Sequence, residues 1–281
     1  MRRFFVAWVA ALGISAAIAQ EYPAKPIRAI IPLTPGSGAD IVGRILGKHL
    51  GDAFGQPFIF ENRPGAGGQI GSHVVVKSPP DGYTLLVQSA SHAANSAIYR
   101  QLPYDATKDF VDVALLGMTP YVMVTSPSGP HRPLKALIDA AKAKPGEIPF
   151  ASAGVGSSTH LAAEYFAQTA GIKMVHVPYK GSPEAIQDSI AGRTSFYMAP
   201  INTALGLVKD GRAVGLGVSS ERRAASLPDV PTIAEQGYPG FAITLWFGMS
   251  GSDAARRSVD TPSPTALPSF TNPSAVLIGA M

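Results

Sequence analysis

Ile27-Arg28-Ala29-Ile30-Ile31-Pro32-Leu33-Thr34-Pro35-Gly36-Ser37-Gly38-Ala39-Asp40 is the stretch on which the fold turns. Its first five residues are mostly apolar and β-branched and read as a strand. A short turn with two glycines follows, and a helix opens at about Asp40. Ile41, Val42, Ile45, Leu46 and Leu50 then fall on one helical face. The same strand–turn–helix order recurs along the chain. Residues 58–60 and 84–88 read as strands, with a helix near 95–100. Residues 121–124 read as another strand, and Pro133 suits the first position of a helix whose Leu134, Leu137, Ile138 and Ala141 share a face. The strand 148–152 runs into a second glycine turn and a helix with Leu161, Ala162, Tyr165 and Phe166 inward. Strands at 174–177, 196–198 and 214–218 complete the set, with a helix start at Ser182-Pro183-Glu184. This alternation predicts βαβ units, a largely parallel sheet and the α/β class.

Composition narrows the chemistry. The 281 residues are 46% hydrophobic and 15% charged, too apolar for disorder. The chain contains no cysteine, which removes disulfide frameworks, thiolate zinc sites, iron–sulfur clusters and thiol catalysis together. The six histidines show no i,i+4 pair and no His-Glu signature, so no metal is expected. A formal charge of +4 without Lys/Arg runs argues against nucleic-acid binding. At the N-terminus, Arg2 and Arg3 precede an apolar stretch over residues 4–19 that ends in Ala17-Ile18-Ala19. This is the pattern of a signal peptide cleaved before Gln20, and it places the mature protein outside the cytoplasm.

Three segments carry candidate chemistry. In Gly36-Ser37-Gly38 with Asp40, glycines bend the chain tightly at the start of a helix whose positive end faces the turn, a ready anion site. It is not a dinucleotide fingerprint, because Ile41 stands where the third glycine belongs. Gly154-Val155-Gly156-Ser157-Ser158-Thr159 repeats the arrangement with three hydroxyls in series, which suits a carboxylate or phosphate. It is neither a nucleophile elbow nor a Walker A loop. The third segment, residues 61–71, is rich in glycine but lacks a lysine, and reads as a structured loop. His92 and His160 stand beside candidate loops. A secreted serine hydrolase using one of the serine turns is the alternative from a different class.

With these residues in view, the chain resembles the Bug/TctC family, the extracytoplasmic solute receptors of tripartite tricarboxylate transporters. The likeness runs over about residues 22–248. It is carried by Ile30-Ile31-Pro32-Leu33-Thr34-Pro35-Gly36, Glu61-Asn62-Arg63-Pro64-Gly65-Ala66-Gly67-Gly68, Pro80-Asp81-Gly82-Tyr83, Leu102-Pro103-Tyr104-Asp105, Val177-Pro178-Tyr179-Lys180-Gly181-Ser182, Leu227-Pro228-Asp229-Val230-Pro231-Thr232 and Trp246-Phe247-Gly248 in that order. The resemblance implies a two-lobed, periplasmic binding protein type II-like α/β fold that closes on a ligand. Residues 20–118 would form lobe one, 119–215 lobe two and 216–248 the return to lobe one. It implies a ligand carboxylate held by Gly36, Ser37, Gly38 and Asp40 of lobe one and Gly156, Ser157, Ser158 and Thr159 of lobe two. Ser89, Ser91, His92, Asn95, Tyr179 and Trp246 would line the cleft. The expected partners are a small organic acid and the transporter's membrane subunits, with no cofactor and a monomeric receptor. A ligand-sensing role feeding a signalling system shares the same binding chemistry.

Three departures from the family pattern carry expectations. Leu33 replaces an aromatic residue and Ser37 a glycine. Ala199-Pro200 stands where relatives carry Asp, often followed by Asn, which tilts the ligand toward an apolar or aromatic acid. From residue 249 the chain loses periodicity, and residues 250–281 resemble a shifted reading frame.

Overall fold

The computed structural model describes residues 22–252. The expected signal segment, and the atypical tail from residue 253 on, lie outside the described residues. Strand β1 (Ile27–Ile31) pairs in parallel with β2 (Phe58–Asn62) on one side and β3 (Thr84–Ser89) on the other. Helices α1 (Gly38–Phe54), α2 (Gln69–Val76) and α3 (Ala90–Ile98) connect and cover these strands. The glycine-rich segment 61–71, expected as a structured loop, is one only in its middle: residues 61–62 end β2, a short 3-10 turn, Ala66–Gly68, follows, and residues 69–71 open α2.

Strand β4 (Phe110–Thr125) joins the lobes. Its first eleven residues pair antiparallel with β9 (Thr244–Ser252), and its last five lie against β7 (Phe196–Pro200) and β8 (Val214–Val218). Only its second half was expected. The first half contains two bulges, and Asp112, Ala114, Leu115 and Met118 are exposed, so no clean period-2 pattern marks it. The second lobe adds α4 (Leu134–Ala143), β5 (Pro149–Ser152), α5 (Ser158–Ala170), β6 (Val175–Pro178), α6 (Ser182–Ile190) and α7 (Ile201–Lys209). Here β5 runs parallel to β6 and β7.

β8 pairs with β4 along its whole length, so the lobe boundary drawn at residue 215 falls inside a strand of the second lobe. The chain returns to the first lobe only with β9, which inserts between β3 and β4. β9 continues through Met249, Gly251 and Ser252, and these residues belong to the sheet rather than to the tail. At the crossing, the buried Ser219 ties three segments together. Its Oγ accepts from the Tyr121 amide at 2.8 Å and donates to the Ile243 carbonyl at 2.6 Å. The main core joins Ile27, Val87, Phe150, Phe166, Phe196 and Phe247, so packing is continuous from lobe to lobe.

On the sheet surface Arg28 Nη2 donates to Glu61 Oε2 at 2.9 Å, and Arg63 meets the same carboxylate. The Arg28 guanidinium, then Arg63, holds the Glu61 carboxyl down at about 2. A folded value below the ordinary 4.5 means the stabilisation is present above 4.5 and is lost as pH falls toward 2. Glu61→Gln is therefore expected to lower Tm at pH 7 and to match the wild type near pH 2. Thermal melts across that range check it, and an equal deficit at both pH values would sink it.

Candidate functional site

Both glycine turns lie at the C-terminal ends of parallel strands, where open α/β sheets bind ligands. In the first turn Gly36 has φ +77° and Ser37 caps α1, its Oγ accepting from the Asp40 amide at 3.3 Å. In the second, Gly156 has φ +76° and Ser157 caps α5, accepting from the His160 amide at 3.2 Å. The turns face each other across a cleft closed down to a cavity of about 10 Å³. That holds about one water. Leu33, Gly38, Ala39, Ser89 and Ser91 line it from the first lobe. Ala153, Ser157, Ser158, Thr159, Ser182 and Pro200 line it from the second, and Leu245 and Phe247 of β9 form its floor.

The hydrogen bonds decide what this lining offers. Ser182 Oγ accepts from the Tyr197 hydroxyl at 2.8 Å, so its own proton is left for the cleft. Burial pushes the Tyr197 phenol up to about 12, keeping it a donor. Thr159 Oγ1 accepts from the Ala153 amide at 2.9 Å and lies 3.0 Å from Ser157 Oγ. One of that pair donates to the other. Ser89 and Ser91, 2.9 Å apart, behave alike. The lining contains no Lys, Arg, His, Asp or Glu. It is a surface of neutral donors and helix N-termini with an apolar floor, suited to anionic oxygens on a partly apolar body. Among the described residues, no group of three or more His, Asp or Glu is placed to hold a metal, and no helix is long and apolar enough to cross a membrane.

The structure brings Gly38, Ser89, Ser91, Ser157, Ser158 and Thr159 together in the cavity wall. Gly36, Ser37 and Gly156 shape the turns behind it. Five expected residues are placed outside this wall. The Asp40 carboxylate turns away and accepts from the Gly36 amide, Arg44 Nε and Asn62 Nδ2, each at 2.9 Å. His92 sits in the first lobe's interior, stacked on Tyr104 and edge-on to Phe110, with Nδ1 3.2 Å from Ser72 Oγ. Burial holds its pKa below the usual histidine value. Tyr179 donates to Asp188 Oδ2 at 2.7 Å. Trp246 lies over Gly248 on the face of β9 opposite Leu245 and Phe247, as the pleat requires. Asn95 is 1% exposed and braces the lobe interface. Its Nδ2 donates to the Gly67 carbonyl at 3.0 Å, and its Oδ1, without a partner, faces Gly156.

Sequence reasoning missed the residues that close the cleft. Tyr99 donates to the Val155 carbonyl at 3.1 Å, and Asn202 Nδ2 donates to the Gly38 carbonyl at 3.3 Å, both from one lobe to the other. Gly67 passes so close to the Val155 carbonyl that a Cβ would sit 2.6 Å from it. Asn202 lies two residues past Pro200, so an amide reaches the cleft near the point where Ala199-Pro200 shows none. The only local signal for Asn202 was its place just after a strand end.

A family model described as "Tripartite tricarboxylate transporter family receptor" matches residues 42–262. The chain is 39% identical over 245 residues to protein BugT of Bordetella pertussis, covering 86% of this chain and 75% of that one. It is 37% identical over 262 residues to a protein encoded between tcbD and tcbE in a Pseudomonas species, covering 92% and 78%. Among solved structures, a Rhodopseudomonas palustris protein with adipate aligns at 30% identity and TM-score 0.80, covering 86% of this chain and 80% of that one. MatC from the same organism, with bound malate, aligns at 25% and 0.79, covering 92% and 96%.

Proposed function

The chain belongs to the tripartite tricarboxylate transporter family of receptors, and on that premise we propose that it captures a small carboxylate in the cleft between its lobes and delivers it to the membrane subunits of such a transporter. The family is one of solute-binding receptors, not enzymes, and its fold is that of type II-like periplasmic binding proteins. The observation that carries the proposal is the cavity wall: hydroxyl donors and the starts of α1 and α5 converge from two lobes, with no charged side chain. A carboxylate there gains roughly 0.3–1 kcal/mol from each helix terminus, more where partly buried. Contacts from both lobes exist together only in the closed form, so the ligand biases the lobes toward closure. The capture takes place in the periplasm, after export on the N-terminal signal.

Leu33, Pro200, Leu245 and Phe247 leave little polar surface beyond the hydroxyls and favour a ligand with an apolar body. The relatives with adipate and malate make dicarboxylates the first probes. Calorimetric titration with adipate, malate, and straight-chain and aromatic monocarboxylates tests the reading, and failure of the folded protein to bind any of them overturns it. Ser158→Ala removes a cleft hydroxyl that caps no helix. It is expected to weaken binding roughly tenfold, the worth of one charge-assisted hydrogen bond, without lowering Tm. Unchanged affinity removes Ser158 from the site.

A further inference from the structure

His160 and His176 are not part of the cavity wall, yet both hold the turn that forms it. Their rings stack face to face, with centroids 3.9 Å apart and planes 17° apart, and the Phe150 ring lies against both. His160 Nδ1 accepts the Gly156 amide proton at 3.3 Å. His176 Nε2 bonds Ser152 Oγ, which itself accepts from the Gly154 amide at 3.0 Å. The two imidazoles therefore brace the turn carrying Ser157, Ser158 and Thr159 at the Gly156 amide and, through Ser152, at the Gly154 amide.

We propose that His160 is a positioning residue for ligand capture: its neutral Nδ1 holds the Gly156 amide, and protonation releases the turn and lowers affinity in acid. This rests on the receptor reading above. The chemistry follows from the imidazole itself. A neutral ring offers one acceptor nitrogen and an imidazolium offers none. A proton on Nδ1 would face the Gly156 N–H donor to donor, and the turn must move. Gly154 and Gly156, at φ +119° and +76°, give the segment the freedom to do so. The moved segment includes Val155, whose carbonyl accepts the closing hydrogen bond from Tyr99. Loss of the brace is thus felt at closure as well as at the ligand.

The ionisable groups around His160 set which ring takes the first proton. Glu164, one turn further along α5, approaches Nε2 at 3.6 Å. From β6 comes His176, and Tyr99 of α3's end reaches the turn from the other lobe. β5 presents only Phe150 and Ser152. Burial, then the neighbouring His160, holds His176 down at about 4. Burial also lowers His160, but Glu164 opposes the shift. The Glu164 carboxylate beside Nε2 favours the proton on His160, and burial holds that protonation below the ordinary histidine range. If capture needs the neutral ring, affinity falls by up to about tenfold per pH unit below its pKa.

The experiment uses the full chain. In the ligand-free protein, the backbone amide resonance of Gly156 is followed from about pH 7.5 to pH 5 beside the His160 ring resonances. It is expected to move with the His160 titration. In His160→Asn, Oδ1 stands at the same position along the side chain as Nδ1, accepts the same bond and does not titrate. There the Gly156 resonance is expected to stay put. Calorimetry with malate and adipate at both pH values is expected to show affinity falling in the wild type and staying level in His160→Asn. Protonation of the ligand is common to both proteins, so the difference between profiles belongs to His160. A Gly156 resonance that ignores the His160 titration overturns the proposal, as do parallel affinity profiles. If neither acid binds at any pH, the receptor reading loses its probes, while the resonance titration still decides the role of His160.

Discussion

Gly181→Ala is expected to leave both lobes folded and to abolish ligand capture. Gly181 precedes α6 in the second lobe with φ −176°, extended backbone that alanine adopts without strain. A Cβ there would lie 1.6 Å from Thr34 Oγ1 and 2.7 Å from Thr34 Cβ. Thr34 belongs to the first glycine turn of the other lobe. Neither lobe is crowded within itself, so the lobes relieve the overlap by parting. The Tyr99–Val155 and Asn202–Gly38 hydrogen bonds, at 3.1 and 3.3 Å, do not survive the separation. A ligand then meets one lobe only. Losing half of its donors, together with closure, is expected to lower affinity at least a hundredfold, about 2.7 kcal/mol. Calorimetry with the acid that the wild type binds measures this, and small-angle scattering checks that the mutant stays open when ligand is added. Tm should move little, since a glycine-to-alanine change at a cap costs at most about 1 kcal/mol. Thr34→Gly in the same chain removes the opposing atoms and is expected to restore binding. Wild-type affinity in Gly181→Ala alone would show that the lobes close by a different path.

The second large effect is expected from Asp40→Ala, and it acts on folding first. The Asp40 carboxylate is 5% exposed and serves three donors at once. Arg44 is half exposed and finds water without it. The Gly36 amide, on an exposed residue, and Asn62 Nδ2, which keeps the Leu33 carbonyl at 3.0 Å, each lose a charged acceptor. A hydrogen bond to a charged group is worth about 1.5–3 kcal/mol, less where water takes the acceptor's place. A total of about 2–4 kcal/mol corresponds to a fall in Tm of roughly 5–15 °C for a domain of this size. Affinity is expected to fall as well, because this carboxylate aims the Gly36 peptide and holds the start of α1 toward the cleft. Asp40→Asn keeps one acceptor oxygen and should lie between wild type and alanine. An Asp40→Ala protein with unchanged Tm would mean that the turn is held by Ser37 alone.

Asp40 also shows how far local pattern reaches. Its place at the first turn of α1 is plain from the sequence, and a carboxylate at a glycine turn reads equally well as ligand contact or internal brace. The partner that decides, Asn62, lies 22 residues away on β2. Trp246 and Phe247 pose the same question on a strand, where neighbouring residues face opposite sides and parity is set by the β3 and β4 neighbours. His92 stands next to cavity-lining Ser91, but the helix turns it toward Tyr104 and Phe110. α7 escaped notice because Pro200 and Thr203 weaken its opening turn in isolation, while its Ile201 and Ala204 gain their place by burial in the second lobe.

The units are legible residue by residue: strands of β-branched residues, helices with a 3.6-residue stripe, and two glycine turns with hydroxyls at helix starts. These rest on contacts within a few residues, and such contacts leave a local pattern. That the hydroxyls of both lobes meet at the cleft, that Asp40 and His92 face away from it, and that Thr34 meets Gly181 and Asn202 meets Gly38 follows from how the chain packs over long range. Asn202 and Gly38 are 164 residues apart. No spacing rule spans that distance. The pairing arises because β4 and β9 carry the chain from lobe to lobe and set the two turns opposite each other.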